Sequence, residues 1–165
     1  MGVLYNSRIV TDGLVLCLDA GDKMSYPGAG TAWTDLSKSK INGTLVNGPT
    51  FNSSNGGNIV FDGTNDYANL GTASSLFPGP NITASLFCWI KPSTVGSSSI
   101  PIGNQYTSGH RLYIGIYSGF WDVGFGAYYW NYGNSGSRAT ATTNWTLISL
   151  IITAGSAVLY VNGQK

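Results

Sequence analysis

The chain has 165 residues, 42% of them hydrophobic and 13% aromatic, enough to fill the core of one domain. Only 9% are charged and the formal net charge is +1, which leaves no basic stripe for phosphates and excludes nucleic-acid binding by counterion release or attraction to an anionic membrane. Ordinary soluble domains are about 25% charged; here Ser, Thr, Asn and Gly carry the polarity, and a surface with so little like-charge repulsion suits a place inside an assembly, copies of itself included.

The opening MGVLYNSRIVTDG lacks the basic region and apolar run of a secretion signal, and residues 1–12 read as a lead. No apolar stretch approaches the length of a membrane span. From residue 13 onward, period-two patterning broken by Gly, Pro, Asn and Ser recurs, and no long segment has a 3.6-residue period, so the class is all-β. Leu14, Leu16 and Leu18 alternate with Val15, Cys17 and Asp19 and predict an opening strand ending at Ala20-Gly21-Asp22. A long loop, residues 23–40, follows, with Trp33 as its anchor into the core. Asn42-Gly43 and Asn47-Gly48 are turn signals that short strands should flank. Ile59 and Phe61 share a strand face before the turn Asp62 to Asp66. Residues 82–90 alternate so that both faces of a strand read as at least partly covered.

The sharpest local prediction is a hairpin from Arg111 to Ala127 turning at Ser118-Gly119. Its register pairs Tyr117 with Phe120, Ile116 with Trp121, Ile114 with Val123 and Leu112 with Phe125. The opposite face, with Tyr117 and Phe120, Gly115 and Asp122, and Tyr113 and Gly124, mixes aromatic, small and polar groups as a surface facing solvent or a ligand would. A second hairpin runs from Asn144 to Thr153 and back over Ala157 to Gly163. Cys17 and Cys88 lie in apolar runs and read as small hydrophobes, with a disulfide as the alternative.

The stretches WTDLSKSKINGTLVNGPTF and GGNIVFDGTNDYANLG, preceded by GLVLCLDAG and followed by ITASLFCWIKP and a hairpin closing in YVNG, occur in one order along nearly the whole chain. That ordered set resembles LamG-like jelly-roll modules of the concanavalin A-like lectin/glucanase superfamily. The resemblance implies an antiparallel two-sheet sandwich over residues 13–165. Members usually continue for several strands past YVNG, so it also implies a fragment or sheets completed by another copy or partner. The lead, the strand ending LDAG and the SYPG loop resemble modules in structural proteins of tailed phages, which implies a virion location.

Catalytic chemistry finds few residues. Glucanases of the superfamily use paired carboxylates, yet the chain has no glutamate and no Asp pair at strand spacing. His110 is the one histidine and has no nucleophile elbow beside it. Calcium is the one metal the residues suggest: Asp62, Asn65 and Asp66, or Asp19 and Asp22, gather oxygens within a few residues. The competing reading is that these side chains hydrogen-bond their own turns, as Asx residues do, and Asp35 reads as a structural turn residue. Tyr128, Tyr129, Trp130, Asn131 and Tyr132 form an aromatic loop suited to stacking on sugar rings, with core or interface packing as the alternative. The expected function is therefore a non-catalytic virion structural or decoration protein that contacts neighbouring subunits. The alternative is a glycan-binding adhesion module on a tail fibre or cell surface.

Overall fold

The structure, a computed structural model, describes residues 9–72, 76, 82–96, 98–103, 111–126, 139–153 and 156–165, and of Arg111, Phe125 and Gly126 the backbone alone. Among the described residues the regular elements are β-strands apart from one short 3-10 turn, Ser54–Gly56. Every strand pairing is antiparallel. The all-β class read from the sequence is what the fold has. The chain divides into two compact units, residues 1–72 and 73–165.

In the first unit β1 (Ala32–Trp33), β2 (Gly43–Val46) and β5 (Tyr67–Asn69) form one sheet in the order β1-β2-β5. β3 (Thr50–Asn52) and β4 (Asn58–Val60) form a separate ribbon. Strands this short bury little: Leu45 and Tyr26 are the buried apolar side chains, beside buried Ser25, Asp35 and Ser37. Polar bonding supplies the missing order. Asp35, 0% exposed, accepts the N–H groups of Cys17 (2.8 Å) and Ser37 (2.9 Å) on Oδ1. Its Oδ2 accepts the Ile41 N–H (2.9 Å) and the Ser37 hydroxyl (2.7 Å). The Asp35 N–H donates in turn to Asn42 Oδ1 at 3.0 Å. One side chain thus ties three stretches of loop together.

That network corrects two expectations. Residues 14–19 join no ladder among the described residues, because the Cys17 N–H goes to Asp35 and its carbonyl accepts the Leu36 N–H. Asn42-Gly43 makes no hairpin turn: the Asn42 side chain is held by Asp35 and Gly43 already lies in β2. Inside the expected long loop, β1 pairs with β2. Asn47-Gly48 does turn, both residues at positive φ (68° and 106°), between β2 and β3.

The second unit is a two-layer sandwich. β6 (Thr83–Ile90), β10 (Thr146–Thr153) and β11 (Ser156–Val161) form a sheet in the order β11-β10-β6. β7 (Ser99–Gly103), β8 (Arg111–Tyr117) and β9 (Phe120–Gly126) form the other, in the order β7-β8-β9. Leu112, Ile114, Ile116, Trp121 and Val123 from one sheet meet Ile148, Leu150, Ile152 and Ala157 from the other in a single buried cluster. The β8–β9 register has Tyr117 opposite Phe120, Ile116 opposite Trp121, Ile114 opposite Val123 and Leu112 opposite Phe125, as the alternation requires. Ser118 (φ 51°) and Gly119 (φ 85°) supply the left-handed turn that matches strand twist. The expectations about faces hold only in part. On the outer side of the hairpin Tyr117 is exposed, but Tyr113 and Asp122 are buried, whereas on β6 the side bearing Phe87 and Trp89 is open, at 65% and 62% exposure.

Burial alone pushes the Asp35 carboxyl up, but hydrogen bonds from the Ser37 hydroxyl and the N–H groups of Cys17, Ser37 and Ile41 outweigh it and hold it below its ordinary value of 3.8. A lowered folded value stabilises the ionised native state above about pH 4, and that contribution disappears as pH falls through the lowered value. Asp35→Asn points an amide N–H₂ at the Ile41 N–H or the Ser37 hydroxyl, and should cost about 3 kcal/mol at pH 7. Urea melts from pH 2 to 7 should show wild type losing stability in acid and the variant already low and flat; equal stability at pH 7 would remove the assigned role. Leu150→Ala, which empties a fully buried site in the second unit, should cost about 3 kcal/mol in the same assay.

Candidate functional site

Asp62, Asn65 and Asp66 come together in the turn between β4 and β5. Asp62 Oδ1 accepts the N–H groups of Thr64 (2.7 Å) and Asn65 (3.3 Å), and Asp66 Oδ2 accepts the Asp62 N–H at 3.0 Å. The Asn65 carbonyl accepts from Asn47 Nδ2 at 2.7 Å. Hydrogen bonds from Thr64 above all, then Asn65 and Asp66, hold the exposed Asp62 carboxyl below the usual carboxylate range. Asp19 Oδ1 and Asp22 Oδ1 likewise accept the N–H groups of Gly21 and Met24, each at 2.8 Å. These oxygens do the work of Asx turns. Among the described residues no group of three or more His, Cys, Asp or Glu side chains gathers around one point. A divalent ion at residues 62–66 would therefore have to be completed by amide, carbonyl and water oxygens.

A cleft of about 220 Å³ opens in the first unit between the loop at residues 20–28 and the end of β3, lined among others by Gly21, Lys23, Tyr26, Phe51, Ser53 and Gly56. Its shape is fixed from below. Tyr26 is buried and donates its hydroxyl to the Gly30 carbonyl at 2.8 Å. The Tyr26 ring packs edge-on to Trp33 (centroids 6.5 Å) and tilted against Phe51 (5.7 Å). Gly57 must be glycine: its φ is 113°, and a Cβ there would lie 2.8 Å from the Gly21 Cα. The volume is below the roughly 300–1,000 Å³ of a drug-sized site and suits one small ring. Sequence reasoning assigned this loop only its anchor, Trp33; the signal it passed over was the ring of Tyr26 beside Pro27-Gly28.

In the second unit Tyr113 donates its hydroxyl to Asp122 Oδ2 at 2.7 Å, and Asp122, 5% exposed, leaves Oδ1 without a partner. Asp122 is the one acidic residue after position 72, so this unit holds no carboxylate pair of the kind glycoside hydrolysis needs. The cysteines are free thiols. Burial pushes the Cys88 thiol up to about 11; burial, followed by the charges of Asp19, Asp35 and Asp22, raises that of Cys17. Neither is an activated nucleophile.

The aromatic loop at Tyr128, Tyr129, Trp130, Asn131 and Tyr132, and His110, lie outside the described residues. Phe61, Tyr67 and Tyr117 are also exposed, but the two most exposed aromatic side chains among the described residues, Phe87 and Trp89, stand together on the outward face of the sheet β11-β10-β6. There the ladder sets Trp89 beside Leu147, Ser149 between Phe87 and Tyr160, and Ile151 between Ser85 and Val158. No outward position on these three strands is charged. Among the described residues no helix is long and apolar enough to cross a membrane. No protein-family model, curated protein or solved structure matches the chain.

Two measurements check these assignments. With the 62–66 oxygens spent on their own turn, the melting midpoint should be the same in millimolar calcium and in chelator; a rise in calcium that Asp62→Asn abolishes would place a metal there. Cys88, roughly one part in a thousand thiolate at pH 8, should react with iodoacetamide about 100-fold more slowly in the folded chain than in urea; comparable rates would contradict its raised thiol.

Proposed function

We propose that the chain is a non-catalytic structural or decoration component of a virus particle, one that holds to neighbouring subunits through a flat β-surface. The observation that carries this reading is the outward face of β6, where Phe87 and Trp89 stand largely exposed on a sheet face without a charge. Large rings exposed in sequence on a strand are costly in water unless something covers them, and aromatic side chains are the usual anchors of protein interfaces. The low charge of the whole chain and the resemblance to modules of tailed-phage structural proteins support the same reading. Particles purified from the native source on a density gradient should carry the chain at a fixed copy ratio that survives repeated banding. Recovery of the chain only in slow-sedimenting fractions would contradict the proposal.

A glycan-binding adhesion role is the second reading, and the cleft over Phe51 favours it. Half-buried Phe51 lines a cleft of about one sugar's size together with Ser53 and Lys23, residue types that offer stacking and hydrogen-bond donors. On a glycan array this reading expects reproducible binding that Phe51→Ala removes and Lys23→Gln weakens. A silent array across broad glycan classes would leave the particle reading alone.

A further inference from the structure

We infer that the outward face of the sheet β11-β10-β6 pairs with the same face of a second copy of this chain. The inference rests on the particle reading above and names the partner. It starts from charge. The second unit carries four cations, Lys91, Arg111, Arg138 and Lys165, against one carboxylate, Asp122, for a formal charge of +3, and Asp122 is buried. Two copies of this unit approaching through any surface that bears those cations repel each other. A face that meets its own twin brings identical residues together, so a charged position there would oppose itself. The outward face of β6, β10 and β11 avoids the second penalty, since none of its positions within the strands is charged, and the nearest cation in sequence, the exposed Lys91, stands past the end of β6.

Its contour suits self-contact as well. Ser149, 8% exposed, sits low in the middle strand, between Phe87 on one side and Tyr160 on the other. Trp89 and Leu147 stand at one end of the face, Ile151 and Val158 towards the other. Rings and branched chains thus flank a shallow trough into which the rings of an opposed copy can be set.

Area decides how strong the contact is. Strands of about eight residues at 3.4 Å, three abreast at 4.8 Å, cover roughly 400 Å², about half of the roughly 800 Å² per partner in a stable interface. The contact is therefore weak in isolation. It is populated where many copies are held at high local concentration, as on the surface of a particle.

Sedimentation of the purified full chain from about 10 to 500 μM tests this. Wild type should show a weight-average mass that rises with concentration and does not fall in 1 M NaCl, because no ion pair contributes. Trp89→Lys should lower the association constant at least tenfold, and mixing it with Trp89→Glu should restore association. Ser85→Asp, at an exposed position on the same face, should act in the same direction without removing a ring, and its unchanged circular dichroism keeps the test valid if Trp89 variants misfold. A constant monomer mass at every concentration, or association that these substitutions leave unchanged, overturns the pairing. A chain that bands with particles yet stays monomeric up to 500 μM overturns the pairing while the particle reading stands. A chain that self-associates but never bands with particles supports the pairing and removes the particle reading.

Discussion

Asp35 carries the order of the first unit. Its strands are two to four residues long, too short to bury much apolar surface or to close a ladder of any length. A buried carboxylate that accepts three backbone N–H groups and a hydroxyl replaces that missing burial. It is a fully satisfied site, which is why a charge can be kept there without an ion pair. The same economy runs through the other loops: Asp19, Asp22, Asn52, Asp62, Asp66 and Asn69 each accept a nearby backbone N–H. In a chain with few charges, five of the seven carboxylates, those of Asp19, Asp22, Asp35, Asp62 and Asp66, serve as acceptors for loop N–H groups.

The second unit is organised by the opposite means. Nine buried side chains from two sheets, with Ala141 beside them, form one apolar cluster, and alternation places the nine there. With the inward set so fully apolar, a one-residue slip in β8–β9 would turn Ile114, Ile116 and Val123 outward, so the register has a single good solution. The sheet β11-β10-β6 has the same inward pattern. Its outward pattern is what departs from an ordinary solvated strand, and a functional reading finds most to use there.

The legible parts of the sequence are those where pattern and burial coincide. The Ser118-Gly119 turn and the whole β8–β9 register follow from period-two alternation, and the Asp62 to Asp66 turn follows from Asx chemistry. Residues 14–19 carry the same alternation as a strand, but whether an extended segment finds a ladder depends on Asp35 and Leu36, distant in sequence and themselves in loops. Asn42-Gly43 has the dipeptide of a hairpin, and only the fold reveals that the Asn42 side chain is engaged elsewhere. On β6, Phe87 and Trp89 look like covered residues by type alone; a sequence does not show which of two apolar strand faces meets the core. The Phe51 cleft was hidden for a related reason, since it is built from a loop and a ribbon whose apposition has no local signature.

We propose that the uncharged aromatic face of β6, β10 and β11 is a contact surface. Hydroxyl-radical footprinting of intact particles against the dispersed chain, read residue by residue, tests it most directly. Oxidation of Phe87 and Trp89 should fall severalfold in the particle while that of exposed Met24, on the first unit, stays as it was. Equal oxidation of Phe87 and Trp89 in both states would contradict it.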